Sequence, residues 1–364
     1  MNTTLGTLLC AAGGLAGAIF ALPFRKIKGV AYESYWLVYA LFGLVIFPII
    51  LGFLTVPGFT NVIANTPVTT LLACAGFGAL WGIGGLTWGL MIRYLGVGLG
   101  LAIGCGLCSA TGTLIPPIVR GKVGDLVKDT AAIITLVSVV VSLVGIVFVG
   151  LAGKLKESEL SEEEKKKAVA EFDFKKGMLV ALISGVFSGC INFGLQWGGG
   201  IAIENGKEVI LESGLKKLWG MSLLARESGA SELWTGIPVL VVVLIGGFIV
   251  QVIYCFAMNA KNKTFGDYAK FAKFPGISAV ALSALAGIIW ASQFVCQKIG
   301  EPAMGSMSYI SFAILMGSSV LFSSLLGVVL GEWKGTGAKT KGALATGLLV
   351  LAASIAIAVV AKKF

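Results

Sequence analysis

Long runs without a charged side chain alternate with short polar segments along the whole chain. The run Ser34–Val119 contains a single charged residue, Arg93. About 20 consecutive apolar residues form a helix that crosses the hydrocarbon core of a bilayer, which is roughly 30 Å thick. The charge-free runs therefore predict ten membrane-spanning helices: Met1–Phe24, Ser34–Leu54, Val68–Ile92, Gly96–Val119, Thr130–Gly153, Gly177–Ile203, Leu233–Ala260, Phe274–Gln297, Pro302–Gly331 and Gly342–Ala361.

The ten predicted helices fall into two groups of five. Residues 1–153 form the first group, a charged linker covers 154–176, and residues 177–364 form the second group. Because five is an odd number, the second group enters the membrane in the opposite orientation to the first. The expected fold is all-α, a polytopic membrane protein made of two inverted five-helix repeats.

The two groups also share a weak sequence match. Gly78 and Trp81 in the third helix correspond to Gly287 and Trp290 in the eighth. Inverted repeats place a solute site near the membrane midplane, between the repeats. The match therefore predicts that the two tryptophans face each other around one transported solute.

Composition supports a membrane protein and argues against a nucleic-acid partner. The chain is 57% hydrophobic and 13% charged, whereas soluble domains are about 25% charged. The net charge of +10 comes from lysines and arginines in short connections, where they set topology. The odd-numbered connections carry 18 of these residues and the even-numbered ones with the C-terminus carry 10, which predicts both termini outside the cytoplasm.

Enzyme chemistry is not expected from this sequence. The chain has no histidine, and it offers neither an acidic metal cluster nor a nucleophile beside a base. The sequence predicts no cofactor and no obligate protein partner; its surroundings are the lipid bilayer.

Several short motifs together resemble the L-rhamnose–proton symporter family, within the drug/metabolite transporter superfamily. They are Leu22-Pro-Phe-Arg-Lys-Ile-Lys28, Tyr32-Glu33-Ser-Tyr-Trp36, Leu80-Trp-Gly-Ile-Gly84, Met91-Ile-Arg93-Tyr-Leu-Gly96, Gly112-Thr-Leu-Ile-Pro116, Trp290-x-x-Gln293-Phe294, Tyr309-Ile-Ser311 and Leu330-Gly-Glu-Trp333. The resemblance covers nearly the whole chain. It implies ten helices in a bacterial inner membrane, and import of L-rhamnose or a related deoxyhexose together with H⁺, the coupling ion.

The resemblance also marks part of a sugar site. After Trp-Gly-Ile-Gly, the resemblance implies the residues Asn-Ile-Asn-Tyr, whereas this chain has Gly85-Leu86-Thr87-Trp88. Gln196 stands where the resemblance implies an asparagine. Thr87, Trp88 and Tyr309 are therefore expected among the sugar-binding residues.

A sugar site needs amides for paired hydrogen bonds and an aromatic face to lie against. The predicted spans supply four amides in two pairs, each pair four residues apart on one helix face, and two tryptophans: Asn192 and Gln196, Gln293 and Gln297, Trp81 and Trp290. These residues either bind the sugar or serve as hydrogen bonds between helices and as core aromatics. Gln251 has no such companion and is interpreted as a bond between helices.

Proton coupling needs a group that changes charge within the membrane. Glu33 at the start of the second span either titrates during transport, opposed by Arg25 or Arg93, or complements a helix N-terminus. Arg93 either pairs with Glu33 or extends to the membrane interface, and the second interpretation is favoured.

Two other functions stay open. In the first, the chain is an exporter or exchanger of another polar metabolite, as elsewhere in the superfamily. In the second, it is a membrane-embedded enzyme or receptor. Nothing in the sequence supports the last.

Overall fold

The structure is a computed structural model that carries no bound molecules. It describes residues 3–96, 99–100, 103–108, 110–112, 127, 130–159, 172–199, 201–204, 207–210, 212–213, 216–217, 220–304 and 311–360.

Helices dominate the described residues. They are α1 Thr3–Ile19, α2 Tyr32–Ala40, α3 Phe47–Thr55, α4 Phe59–Ala64, α5 Val68–Leu95, α6 Thr130–Glu159, α7 Phe174–Gly199, α8 Met221–Glu227, α9 Ile237–Asn262, α10 Asp267–Lys270, α11 Gly276–Met304, α12 Ser311–Val329 and α13 Ala338–Val360. Short 3₁₀ turns cover Pro23–Lys26 and Glu232–Trp234, and a π-helical segment covers Leu41–Ile46.

Seven helical segments of the described residues are long and apolar enough to cross a membrane, so the chain is a multi-pass membrane protein. They correspond to the first, second, third, fifth, sixth, seventh and eighth predicted spans: Leu5–Lys26, Tyr32–Thr55, Val68–Leu95, Leu136–Lys156, Phe174–Gly199, Glu232–Asn262 and Gly276–Met304.

The other three predicted spans are described less completely. Most of the fourth lies outside the described residues, apart from a short apolar helix, Ile103–Gly112. The ninth contains α12, and the tenth coincides with α13. The total of ten spans stays a prediction.

The second span is interrupted by its π-helical segment. Pro48 is among the first residues of α3, and because proline has no N–H it cannot donate to the carbonyl four residues earlier. A wider turn before it accommodates that missing bond. The packing is tight here, since a Cβ at Gly43 would lie 2.7 Å from the carbonyl oxygen of Gly287 in α11.

The connection after α7 contains short strands that the pattern did not predict. Ile201–Glu204 pairs antiparallel with Lys207–Ile210, and Glu212–Ser213 pairs with Lys216–Lys217. The predicted sixth span, which ended at Ile203, was therefore too long: the helix ends at Gly199, where consecutive glycines favour a break.

Backbone contacts group the chain into two compact units. Unit 1 comprises Met1–Leu9, Ile19–Ile83 and Cys190–Tyr309, and unit 2 comprises Cys10–Ala18, Gly84–Gly189 and Ile310–Phe364. Each unit contains residues from both predicted five-helix groups.

Within unit 2, α6 and α13 pack side by side through small residues. A Cβ at Gly347 would lie 2.7 Å from Val149, and one at Gly145 would lie 3.2 Å from the carbonyl oxygen of Gly347. Glycine at such contacts lets two membrane helices approach closely.

A buried lysine lies in the last turn of α6. Lys156 is fully buried, and its ammonium lies 5.3 Å from the ring centre of Phe172 and 5.0 Å from that of Trp333. Cation–π attraction of this kind is worth about 2 kcal/mol when the cation is desolvated.

Candidate functional site

Trp81 and Trp290 are in direct contact inside unit 1. Their ring centres are 5.3 Å apart and their planes differ by 26°. The side chains are 5% and 8% exposed. The two indoles therefore face each other, and their place around a transported solute stays a prediction. Because the rings touch, no sugar fits between them in this conformation.

Glycines on α5 and α9 make room for this stack. A Cβ at Gly247 would overlap Cζ3 of Trp81. On α5, one turn before Trp81, a Cβ at Gly78 would overlap the carbonyl oxygen of Val243 in α9. The α5 and α9 backbones thus approach too closely for larger side chains. Close packing explains these glycines, and α5 is a continuous helix.

Other aromatic rings surround the stack. Tyr39 lies edge-on to Trp290 at 6.3 Å, and Phe294 lies 5.1 Å from it. Trp36 extends the cluster, with its ring 4.7 Å from Tyr39. Offset and edge-to-face pairs of this kind each add about 0.5–1.5 kcal/mol beyond buried area.

Gln251 connects three helices beside the cluster. Its Oε1 accepts a hydrogen bond of 2.8 Å from Nε1 of Trp36, and its Nε2 donates to the carbonyl of Gly82 at 3.1 Å. The predicted role of this amide as a bond between helices is confirmed.

The amides of α11 lie on one helix face with Trp290. Gln293 and Gln297 follow it by three and seven residues, which is helical spacing, and they are 5% and 1% exposed. Nε2 of Gln297 donates to Oε1 of Glu301 at 2.9 Å.

Asn192 and Gln196 are half-buried on α7. Their neighbours in that helix contact α5: the ring of Phe193 stacks on Phe77 at 5.5 Å, and Trp197 lies 6.4 Å from it. Phe77 is one turn before Trp81 on the same helix, so these amides belong to the same unit as the stack.

Thr87 and Trp88 belong to unit 2. The hydroxyl of Thr87 donates to the carbonyl of Gly84 at 2.8 Å and accepts a bond of 2.6 Å from Ser184 of α7. These bonds give Thr87 a structural role; its contact with sugar stays a prediction. Trp88 is half-buried and lies against Gly104, where a Cβ would be 3.2 Å from the indole.

Arg93 is exposed in the last turn of α5. This position fits the favoured interpretation, in which the guanidinium extends to the membrane interface. Tyr309 lies outside the described residues.

Glu33 is buried in the first turn of α2, with 4% exposure. Its Oε1 accepts hydrogen bonds from Nδ2 of Asn262 at 3.0 Å and from the Thr264 hydroxyl at 2.7 Å. Both donors are uncharged. The carboxylate thus joins α2 to the end of α9 and to the connection after it, while Arg25 is exposed.

The hydroxyl of Thr264 also lies 2.7 Å from Oδ1 of Asn259. A hydroxyl has one proton, so Thr264 cannot donate to Glu33 and Asn259 at once. If Glu33 is protonated, it donates to Thr264, and Thr264 donates to Asn259. The network therefore accommodates a proton on Glu33 without breaking a contact.

Asp267 ties a second point of the same connection to α2. Its carboxylate accepts the N–H of Ala31 at 2.7 Å and pairs with Lys270. Burial alone would raise the pKa of Asp267, but the bonds from Lys270 and Ala31 hold that pKa below its ordinary value.

Two groups of residues around these sites were not predicted from the sequence. Lys298 pairs with Glu301 at 2.8 Å, and the spacing of three residues on a helix is a signal that could have found it. No local pattern links Asn259 or Thr264 to Glu33, because that contact depends on how α9 packs against α2.

Comparisons with known proteins cover almost the entire chain. The family model described as L-rhamnose-proton symport protein (RhaT) matches residues 1–362. An L-rhamnose-proton symporter of Cronobacter sakazakii is 33% identical over 96% of this chain and 94% of its own length. Proteins of the same name from Shigella sonnei and Escherichia coli are 32% identical over 96% of this chain and 95% of theirs. No solved structure matches the chain.

Proposed function

Because the chain belongs to the L-rhamnose-proton symport family, we propose that it imports L-rhamnose or a closely related deoxyhexose with H⁺ across the bacterial inner membrane. The observation that carries this proposal is the match of the family model to residues 1–362. Such a match includes every predicted span and connection, so it concerns the whole transporter and not one module.

The proposed architecture is ten helices arranged as two inverted five-helix repeats, residues 1–153 and 177–364. Support comes from Trp81 and Trp290, the positions that match between the two predicted repeats, which touch each other. Residues related by a two-fold axis contact one another at that axis, so such a contact is expected of inverted repeats. Alternating access around that axis is the usual mechanism of inverted-repeat transporters.

The sugar site is proposed on the unit 1 face that carries the stack and the α11 amides. The indoles provide apolar faces for the sugar ring, and Gln293 and Gln297 provide hydrogen-bond partners for its hydroxyls. Since Trp81 and Trp290 touch here, the sugar-bound conformation requires them to separate.

Glu33 is proposed as the proton carrier. It is a buried carboxylate whose described donors, Asn262 and Thr264, are neutral, and the hydroxyl of Thr264 can reverse its role when Glu33 gains a proton. A group that carries a proton across a membrane must be stable in both charge states.

A counterflow assay in proteoliposomes tests the substrate. Vesicles loaded with unlabelled sugar are diluted into labelled L-rhamnose, L-fucose, D-ribose or D-glucose. We expect rhamnose to accumulate transiently, and the external medium to become alkaline when rhamnose is added to empty vesicles. Counterflow with none of these sugars would reject sugar transport and favour an exchanger of another polar metabolite. That alternative is kept because this chain departs from the family at Thr87 and Gln196.

A further inference from the structure

The last turns of α11 hold an ion pair beside a proposed sugar ligand. Nζ of Lys298 lies 2.8 Å from Oε2 of Glu301, and the two side chains are only 12% and 23% exposed. The other carboxylate oxygen, Oε1, accepts the bond of 2.9 Å from Nε2 of Gln297. One carboxylate thus holds a lysine with one oxygen and an amide with the other.

This arrangement determines which end of the Gln297 amide faces Glu301. An amide carries two N–H donors at one end and a carbonyl acceptor at the other, whereas an ionised carboxylate only accepts. Glu301 therefore selects the orientation in which the nitrogen of Gln297 faces it. The carbonyl oxygen of Gln297 therefore faces away from Glu301. This oxygen can accept a hydrogen bond from a sugar hydroxyl.

Lys298 keeps Glu301 in place. Its aliphatic stem lies against the backbone before α9, where a Cβ at Gly236 would be 2.9 Å from Cδ of Lys298. A charge-assisted bond from a lysine packed in this way restricts the carboxylate to one position.

We propose that Glu301 is a positioning residue for sugar recognition: anchored by Lys298, it orients the amide of Gln297 to accept a hydrogen bond from the sugar. This inference rests on the proposed sugar transport, and it concerns residues to which neither the motifs nor the family match assigns a role.

The test is the dependence of counterflow on L-rhamnose concentration in the variant E301Q. A glutamine at this position donates as well as accepts, so both orientations of Gln297 become populated. Loss of one oriented hydrogen bond corresponds to about a tenfold rise in KM, with a maximal rate within about twofold of wild type. The matched control E232Q changes an exposed acid on the turn that packs against α11, and its KM should not change.

Two further variants separate positioning from folding. E301Q leaves Lys298 without its carboxylate, so K298M/E301Q removes both charges; it should show the same rise in KM with normal yield and a monodisperse elution profile. In a Q297L background, E301Q should have no additional effect on KM, because the amide to be oriented is gone. A purely structural role would lower yield or maximal rate in every background and leave KM alone.

The outcomes distinguish the two proposals. If the wild type performs rhamnose counterflow and K298M/E301Q keeps the wild-type KM, the positioning role is overturned while the transport function stands. If the wild type shows no counterflow with any sugar tested, the proposed function itself fails, and the positioning role fails with it.

Discussion

Trp81 of α5 and Trp290 of α11 stack with their ring centres 5.3 Å apart, although 209 positions separate them along the chain. Both rings are buried. The stack is therefore a long-range contact that holds α5 and α11 together within unit 1.

Replacing Trp290 with alanine should destabilise the protein strongly. Truncation of a buried aromatic side chain costs about 3–5 kcal/mol, and W290A also removes the contacts with Tyr39 and Phe294. W290F keeps a ring and should lose less. Thermal unfolding in detergent measures both, with W197A as control, because Trp197 is 37% exposed. Equal melting temperatures for W290A and W197A would contradict the prediction.

The variant G247A should disturb the stack from the opposite side. Its new methyl group would overlap the ring of Trp81, and overpacking of this kind costs about 1–3 kcal/mol. The control is G76A on α5, where a Cβ meets no atom within 4 Å. Alanine is the better helix former there, by up to about 1 kcal/mol. The two substitutions should therefore shift the melting temperature in opposite directions, and a lower value for G76A alone would refute this account.

Neutralising Glu33 should separate proton coupling from sugar movement. E33Q cannot carry the proton, so accumulation of rhamnose against its gradient, driven by a pH gradient, should fall at least tenfold. Counterflow needs no net proton movement and should continue. The variant T264V keeps the carboxylate but removes the hydroxyl that exchanges roles with it, and it should weaken accumulation less than E33Q. Undiminished uphill uptake by E33Q would exclude Glu33 as the carrier.

Asp267 should make stability depend on pH at the acid end. Its pKa is lowered in the folded protein, from about 3.9 in an unfolded chain. The folded state therefore gains stability above the unfolded pKa and loses it as the pH falls through the folded one. D267N should lower the free energy of unfolding by about 1 kcal/mol at pH 7. The ion pair contributes little to this loss because Lys270 is largely exposed, so the bond from the Ala31 N–H is the main contact affected.

Melting temperatures between pH 7 and pH 3 measure this effect. The wild type should decline toward low pH more steeply than D267N. K270M, which keeps the bond to Ala31, should lie between them. A steeper acid decline in D267N than in the wild type would have the wrong sign for a lowered pKa.

Sequence patterns predicted the helices of the membrane region well, since a span depends on composition within about 20 residues. They also predicted that Trp81 and Trp290 face each other, because repetition within the chain carried that information. The strands after Gly199 and the π-helical segment Leu41–Ile46 were not predicted. Both depend on local backbone hydrogen bonding that hydrophobic periodicity does not encode.

The candidate site shows the same division. Gln293 and Gln297 share a face because helical spacing requires it, and that face is visible in the sequence. The touching of the indoles was not foreseeable, since it depends on how closely α9 approaches α5 at Gly247. The partners of Glu33 likewise come from a segment more than 200 positions away.

The amide of Gln251 limits how unit 1 can move. It holds Trp36 of α2 and the Gly82 carbonyl of α5 from its own place on α9, and breaking either bond would strand a buried polar group at a cost of about 1–3 kcal/mol. These three spans should therefore travel as a rigid block. Separating Trp290 from Trp81 then requires α11 to move relative to this block and to give up its close contact at Gly43.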